Sequence, residues 1–578
     1  MKLLRKLFSR VVLVSLAIAI QLAWLFYIVF FLSAYYLPIA LFFSLVSLAV
    51  VIFIINRPGN PQVKLAWIVP ILVFPLFGGV IFLISGGKRP KRKLRRALDE
   101  SGELLRPYRE AGKRPAVPAS SRREDLYLLG QCHYLDSRGF PAYENTAAHY
   151  YADCREGWER LLSDLRTAER FIFMEYFILK PGVMWDPVLE ILKEKAAVGV
   201  EVRVMYDDVG SIGYLPRDYA ARLEAMGIQC VKFNPYKPVY AVVMNHRDHR
   251  KITVIDGHIG YTGGANFADE YIGEEIRLGE WKDNFLRLEG EGVRGLTLLF
   301  LEMWNAVRPP EGQDKKPPRW TADTSEGIAS YMPDPARVAG IRSEGYVQPY
   351  GDSPVDSEIL AENVYLNVIN QATDYVYIYT PYVVIDYEMT RALSLAARRG
   401  VDVRLVVPAV PDKKIVYHLG KSYFPELIEN GVKVLRFTPG FLHSKVFLAD
   451  DRQAVVGTIN LDYRSLTLHF ENACMFVDHP VLPAIKADFE ETFPRCETVT
   501  VKKRRFDVLY DLYLGLLRLF APVLGSETAS PVREAFLWAL CIKRSAHFCH
   551  NAEIDPAVLT LRRSFDIMRL FHKKGIPL

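Results

Sequence analysis

Two stretches decide the fold. The first reads His249-Arg250-Lys251-Ile252-Thr253-Val254-Ile255-Asp256 and is followed by Gly263-Gly264-Ala265-Asn266. The second reads His443-Ser444-Lys445-Val446-Phe447-Leu448-Ala449-Asp450 and is followed by Gly457-Thr458-Ile459-Asn460. Histidine, lysine, aspartate, glycine and asparagine keep the same offsets in both. One chance His-x-Lys-x4-Asp in a chain this long has odds of roughly one in thirty at ordinary composition. Two copies with matched downstream residues are far rarer.

Lys251 to Ile255 and Val446 to Ala449 read as strands, and Asp256-Gly257 and Asp450-Asp451 as turns into the next strands. Histidine and lysine two residues apart on a strand project to one face. Doubling that unit places His249, His443, Lys251, Lys445, Asn266 and Asn460 around one pocket, with Gly264 and Thr458 beside the asparagines. Such a pocket suits a phosphodiester. The lysines stabilise charge on the non-bridging oxygens and the asparagines donate hydrogen bonds. One imidazole attacks phosphorus, and the other protonates the leaving alkoxide and then deprotonates the incoming alcohol. His249 is taken as the nucleophile and His443 as the acid and base. Asp256 and Asp450, the last residues of the motif, are expected to orient the turns or the histidines.

Outside the motifs the order of elements also repeats. Phe171 to Leu179 reads as a buried strand, Val188 to Ala197 as a helix and Gly199 to Tyr206 as a second strand. Later, Tyr375 to Thr380, Met389 to Arg398 and Gly400 to Val407 repeat strand, helix and strand. Gly199-Val200-Glu201-Val202-Arg203 and Gly400-Val401-Asp402-Val403-Arg404 are nearly one phrase used twice. Between the halves, Arg308-Pro309-Pro310 and Lys315-Lys316-Pro317-Pro318 mark a linker. Two similar α/β units follow, at 126–310 and 341–500, joined by a linker at 311–340.

Ahead of them, Val11 to Ile55 carries no charged residue, long enough for two helical membrane spans. A third apolar stretch, Leu65 to Ile84, contains Pro70, Pro75 and Gly78-Gly79 and is read as re-entrant or interfacial rather than spanning, so two or three crossings remain open. The expected organisation is therefore a membrane-anchor region at 1–87, a basic linker at 88–125, and an amphipathic basic segment with an unassigned tail at 501–578. Net charge is +6, gathered at Lys2–Arg10, Lys88–Arg96 and Lys502–Arg505. Each cluster adjoins apolar sequence, so anionic lipid headgroups fit better than nucleic acid. Lys2–Arg10 and Lys88–Arg96 both favour the cytoplasmic side, which two crossings satisfy and three do not. Half the residues are apolar and 12% aromatic, which excludes a disordered chain. The seven cysteines form no Cys-x-x-Cys pair, so neither a disulfide framework nor a zinc motif is expected.

The doubled motif resembles the signature of the phospholipase D superfamily. Asn245 to Ile252, Trp281-Lys282-Asp283, Val347 to Tyr350, Thr380-Pro381-Tyr382, Pro411 to Lys414, Thr438 to His443 and Gly457 to Ser465 are similar to phrases of bacterial cardiolipin synthases. The resemblance covers residues 1 to 524. It implies two α/β/α sandwich units related by a pseudo-two-fold, preceded by a transmembrane helical region in a bacterial cell membrane. It also implies transfer of a phosphatidyl group between phosphatidylglycerol molecules, giving cardiolipin and glycerol with no cofactor and no metal. Water or serine as acceptor would make a phospholipase D or a phosphatidylserine synthase, and the motif itself does not choose. A silent scaffold would be expected to lack one of these residues, and none is missing.

Three weaker patterns compete. His246, Asp248, His249, Asp256 and His258 suggest a metal cluster, but the second motif has no matching histidines and each lysine would repel a cation. Glu175 and Asp207-Asp208 read as strand-end or turn residues before acid–base groups. His547, Cys549 and His550 in the tail form no ligand pattern.

Overall fold

The computed structural model describes residues 36–74, 82, 92–112, 125–235, 246–307, 325–356, 358–501 and 508–524. The first sheet has seven strands. Their order is Thr146–Tyr151, Phe285–Gly290, Ile259–Gly263, Lys251–Ile255, Phe171–Tyr176, Glu201–Asp207 and Gln229–Phe233. The second sheet repeats that order with Tyr346–Asp352, Glu471–Val477, Gln453–Gly457, Val446–Ala449, Tyr375–Tyr379, Asp402–Pro408 and Lys433–Phe437. The short strand Cys496–Thr498 adds an eighth at its edge. In each sheet the strand that follows the histidine runs antiparallel to the central strand, Phe171–Tyr176 or Tyr375–Tyr379. The repeat read in the sequence is thus a repeat of topology, strand for strand.

Every residue of Phe171–Tyr176 is buried, so alternation divides the strand between two apolar layers. Ile172 and Met174 join Trp158, Leu161, Val188 and Leu192 on the outer face, under the helices Cys154–Arg166 and Asp186–Ala197. Phe171 and Phe173 face inward. The second sheet does the same: Val376 and Ile378 lie under Leu360–Gln371 and Tyr387–Arg398, and Tyr375, Tyr377 and Tyr379 face inward. The two inward faces meet in one shared core, filled by the helices Val293–Val307 and Leu482–Thr492. Phe173 stacks on Phe300 at 4.7 Å and Phe300 on Trp304 at 5.5 Å. Truncating one such ring costs about 3–5 kcal/mol, so the core that joins the halves is a main source of stability.

Three expected boundaries shift. The segment 88–125, expected as a linker, contains the helix Arg92–Ala111, with Leu98 and Leu105 buried against Val293–Val307. Its charged residues hide an apolar stripe at helical spacing. The helix Asp125–Ser137, expected in the first unit, sends Leu128, Cys132 and Leu135 into the core of the second. Within 311–340, Ile328, Tyr331 and Met332 pack into the shared core, Tyr331 against Phe171 and Phe173.

Of the expected membrane region, 1–35 lies outside the described residues, as do 502–507 and the tail from 525. Helices span Tyr36–Ile55, which carries no charge, and Pro61–Val73. Among the described residues no helix is long and apolar enough to cross a membrane. Leu41, Phe42, Leu45, Ile52, Leu65 and Leu72 are nonetheless exposed. Pro61–Val73 is tied to the second half by Asn60, whose Nδ2 donates to Asp386 at 2.8 Å. The amphipathic helix Val508–Leu524 packs on Pro61–Val73 and on Lys414–Lys421. Leu517 and Ala521 are buried there, and Val508 and Leu512 face out.

Candidate active site

Each histidine stands on an extended segment just before its strand, and each segment is held by the other half. The His249 amide donates to the Phe470 carbonyl at 2.9 Å, and the His443 amide to the Lys282 carbonyl at 2.7 Å. The residues after those carbonyls are Glu471 and Asp283. His249 Nδ1 lies 2.8 Å from Glu471 Oε2, and His443 Nδ1 lies 2.6 Å from Asp283 Oδ2. Each imidazole is therefore oriented by a carboxylate from the opposite unit, which leaves its Nε2 for chemistry. All four side chains are buried.

Neither Asp283 nor Glu471 belongs to the residues that the doubled motif marks, although Asp283 closes the phrase Trp281-Lys282-Asp283. The available signal is an acidic residue followed by asparagine, Asp283-Asn284 and Glu471-Asn472, just before the strand Phe285–Gly290 and at the start of the strand Glu471–Val477. Unequal insertions hide it, with 20 residues from Gly263 to Asp283 and 14 from Gly457 to Glu471.

The lysines and the small residues complete the frame. Lys251 Nζ donates to the His249 carbonyl at 2.6 Å. Lys445 Nζ donates to the His443 carbonyl and stands 2.9 Å from His443 Nδ1. A Cβ on Gly264 would come 2.0 Å from Asp283 Oδ1, so only glycine admits that carboxylate. At the matching position, Thr458 Oγ1 donates to Glu471 Oε2 at 2.5 Å. Asn266 accepts from the Ile178 amide at 3.1 Å and donates to Tyr271 Oη at 2.8 Å. The Tyr271 ring lies edge-on to His443 at 5.6 Å. Asn460 donates to Ser465 Oγ at 3.1 Å. As placed, both amides brace the walls of the site.

Asp256 and Asp450 sit at the far ends of their strands, roughly 20 Å along the chain from the histidines at about 3.3 Å per residue. Asp256 accepts from the amides of Glu169, Arg170 and Phe171 at 2.7–2.9 Å. Asp450 accepts from those of Thr373, Asp374 and Tyr375 at 2.7–2.9 Å. Each carboxylate clamps the start of the central strand from a left-handed backbone position, φ 51° and 53°. They orient turns and strands and do not meet the imidazoles.

Burial, with Lys445 beside the ring, pushes His443 down to about 4 against the raising pull of Asp283. Burial raises Glu471, but the charge and hydrogen bond of His249, with His469, outweigh it and bring the carboxyl down to about 2. Asp283 is likewise lowered: burial is outweighed by His443 and Lys445. Elsewhere, Asp207 accepts from the amides of Val209, Gly210 and Asp248, a turn role. Glu175 lies inside a strand, not at a turn, and burial with the Asp248 charge raises its carboxyl well above the usual range.

The metal cluster weighed from the sequence does not assemble. His246 Nδ1 bonds the Leu468 carbonyl at 3.1 Å, and His258 lies beyond Asp256. Among the described residues, His249, His469 and Glu471 do bring ligand atoms within 4.8 Å of one another. Lys251, two residues from His249, disfavours a cation there.

Two interlocked α/β units, each supplying one histidine and one lysine to a common centre, define a phospholipase-D-type enzyme. A family model described as "Cardiolipin synthase, PLD-like domain" matches residues 161–275 and 365–493, and one described as "Phospholipase_D-nuclease N-terminal" matches 42–87. A cardiolipin synthase of Halalkalibacterium halodurans is 34% identical, covering 83% of this chain and 92% of that protein. An uncharacterized protein of Streptococcus mutans is 42% identical, covering 82% and 99%. The crystal structure of a phosphatidylserine synthase from Haemophilus influenzae shares the fold with TM-score 0.51 at 14% identity, covering 70% of this chain and 98% of that one. The chain belongs to the cardiolipin synthase family of the phospholipase D superfamily and is a phosphatidyltransferase.

Proposed function

We propose that the enzyme makes cardiolipin, moving a phosphatidyl group from one phosphatidylglycerol to a second and releasing glycerol. The observation that carries this reading is the crossed pairing of His249 with Glu471 and His443 with Asp283 beside two lysines. It equips two imidazoles for one phosphodiester. One forms a bond to phosphorus as the glycerol oxygen leaves with a proton from the other. The second imidazole then takes the proton of the acceptor hydroxyl as that oxygen displaces the first. Lys251 and Lys445 offset charge on the phosphoryl oxygens.

The order favoured is His443 as nucleophile and His249 as acid and base, the reverse of the order expected from sequence. Attack requires a neutral imidazole, and burial beside Lys445 keeps His443 neutral. Protonating a leaving group requires an imidazolium, which the ionised Glu471 stabilises at His249.

Asn266 and Asn460 are assigned to shaping the pocket, with Gly264 and Thr458 placing its carboxylates. The substrate surface is an anionic bilayer, which the apolar sequence 11–55 anchors and the exposed side chains of Tyr36–Ile55 contact, with the catalytic halves in the cytoplasm. Lipid mass spectrometry on membranes of a host lacking cardiolipin synthases tests the reaction. Wild type should yield cardiolipin and glycerol, and His249→Ala and His443→Ala neither. Phosphatidic acid or phosphatidylserine in place of cardiolipin would replace the acceptor with water or serine.

A further inference from the structure

The two carboxylates of the site differ in what lies two residues before them. Before Asp283 stands Trp281, whose ring lies 5.7 Å from His443. Before Glu471 stands His469, buried, with its ring 5.6 Å from that of His249. Residues two apart at a strand start share a face, so His469 and Glu471 both turn toward the centre. Glu471 Oε1 lies 3.0 Å from His249 Nδ1 and 3.5 Å from His469 Nδ1. Its Oε2 takes His249 at 2.8 Å and Thr458 at 2.5 Å. One carboxylate is thus flanked by two imidazoles and a hydroxyl, all buried. Asp283 meets one imidazole and the amide of Asn284.

We infer that His469 is a positioning residue for phosphatidyl transfer: it fixes the Glu471 carboxylate on His249 Nδ1 so that His249 presents Nε2 to the leaving and incoming oxygens. The inference rests on the reading of the site given above. Thr458 anchors Oε2, and His469 stands on Oε1, so each carboxylate oxygen has a neighbour besides His249 and the group is held from both sides. The ring also adds a donor that keeps the carboxylate ionised when His249 gives up its proton. This divides the labour of the two halves. The histidine backed by the doubly flanked carboxylate moves protons. The one beside Lys445 does not need that support.

The test uses full-length enzyme in membranes supplied with phosphatidylglycerol, comparing His469→Phe with His469→Asn. Phenylalanine keeps the ring volume and loses the donor, whereas asparagine places an N–H where Nδ1 stood. Expected is a fall in kcat of about 10- to 100-fold for His469→Phe, as for other partners that orient a reacting group. KM should be unchanged, because His469 is buried and stands on Glu471, and His469→Asn should restore kcat close to wild type. Equal losses in both variants, or a loss confined to KM, would overturn the inference in favour of packing or binding. So would wild-type kcat in His469→Phe. Loss of wild-type turnover in EDTA with recovery on adding zinc would also overturn it, since His249, Glu471 and His469 would then be ligands. Wild type that forms no lipid product from phosphatidylglycerol overturns the functional reading as well; active wild type with an unaffected His469→Phe overturns the inference alone.

Discussion

Asp283 and Glu471 occupy one position of the repeated sheet. Phe285 pairs with Gly263 and Ala473 with Gly457, and each carboxylate stands two residues before that pair. From equivalent places they cross to the histidine of the opposite half. The active site is therefore made by exchange, each unit holding the other's imidazole.

This exchange sets the first prediction. Glu471→Gln and Asp283→Asn keep shape and lose charge, so each should lower kcat about 10- to 100-fold while KM for phosphatidylglycerol moves little. Steady-state kinetics on reconstituted enzyme check this. A loss seen only in KM would contradict the orienting role.

The pH profile follows from His443. Its imidazole becomes protonated only near pH 4, so the neutral form persists well below the ordinary histidine value of about 6.5. The acid limb of kcat/KM assigned to the nucleophile should then fall near pH 4, with activity kept through pH 5.5 in a lipid system stable to acid. Lys445 lowers that value, so Lys445→Met should move the limb upward as well as reduce the plateau. An unmoved limb would remove Lys445 as the cause.

Glu471 gives a stability prediction of the opposite kind. Its carboxyl is depressed from 4.5 to about 2 in the folded chain. A depressed carboxyl contributes stability that is full above its unfolded value and is lost as pH falls toward the folded value. The stability gap between wild type and Glu471→Gln should accordingly be present at pH 5 and close between pH 4.5 and 2. Denaturant unfolding at several pH values measures it.

Gly264→Ala should separate folding from chemistry. The new methyl would meet Asp283 Oδ1 at 2.0 Å, so the carboxylate must withdraw from His443. The variant should fold yet lose at least tenfold in kcat, a rough bound set by orienting partners elsewhere.

Asp256→Asn and Asp450→Asn should do the reverse. Each replaces a carboxylate that accepts from three backbone amides, costing about 1–3 kcal/mol. Thermal unfolding should shift down by several degrees with kcat near wild type at low temperature. Loss of kcat without loss of stability would place these aspartates in the chemistry.

Much of this was legible from pattern. Matched offsets from His249 and His443 announced two units, and the Gly-Val-acid-Val-Arg phrases gave their strands. Chemistry contributed by the partner half was not legible, because Asp283 and Glu471 lie at unequal distances from their own motifs and act on the other's. His469 is invisible for the same reason: a histidine two places before a glutamate means little until the sheet turns both inward. The helix Arg92–Ala111 escaped because its composition is charged and only the spacing of Leu98 and Leu105 shows the buried side. Asp256 and Asp450 share the motif with the histidines through strand geometry, each holding the far end of the strand whose near end carries the lysine.

The crossed carboxylates have a consequence for biosynthesis. As the chain leaves the ribosome, His249 emerges more than two hundred residues before Glu471. Until the second half has been made and docked, the first carries a histidine with no carboxylate behind it, and no second histidine faces it. An unfinished chain therefore holds only half of the crossed constellation. The duplication thereby ties assembly of the site to completion of both halves.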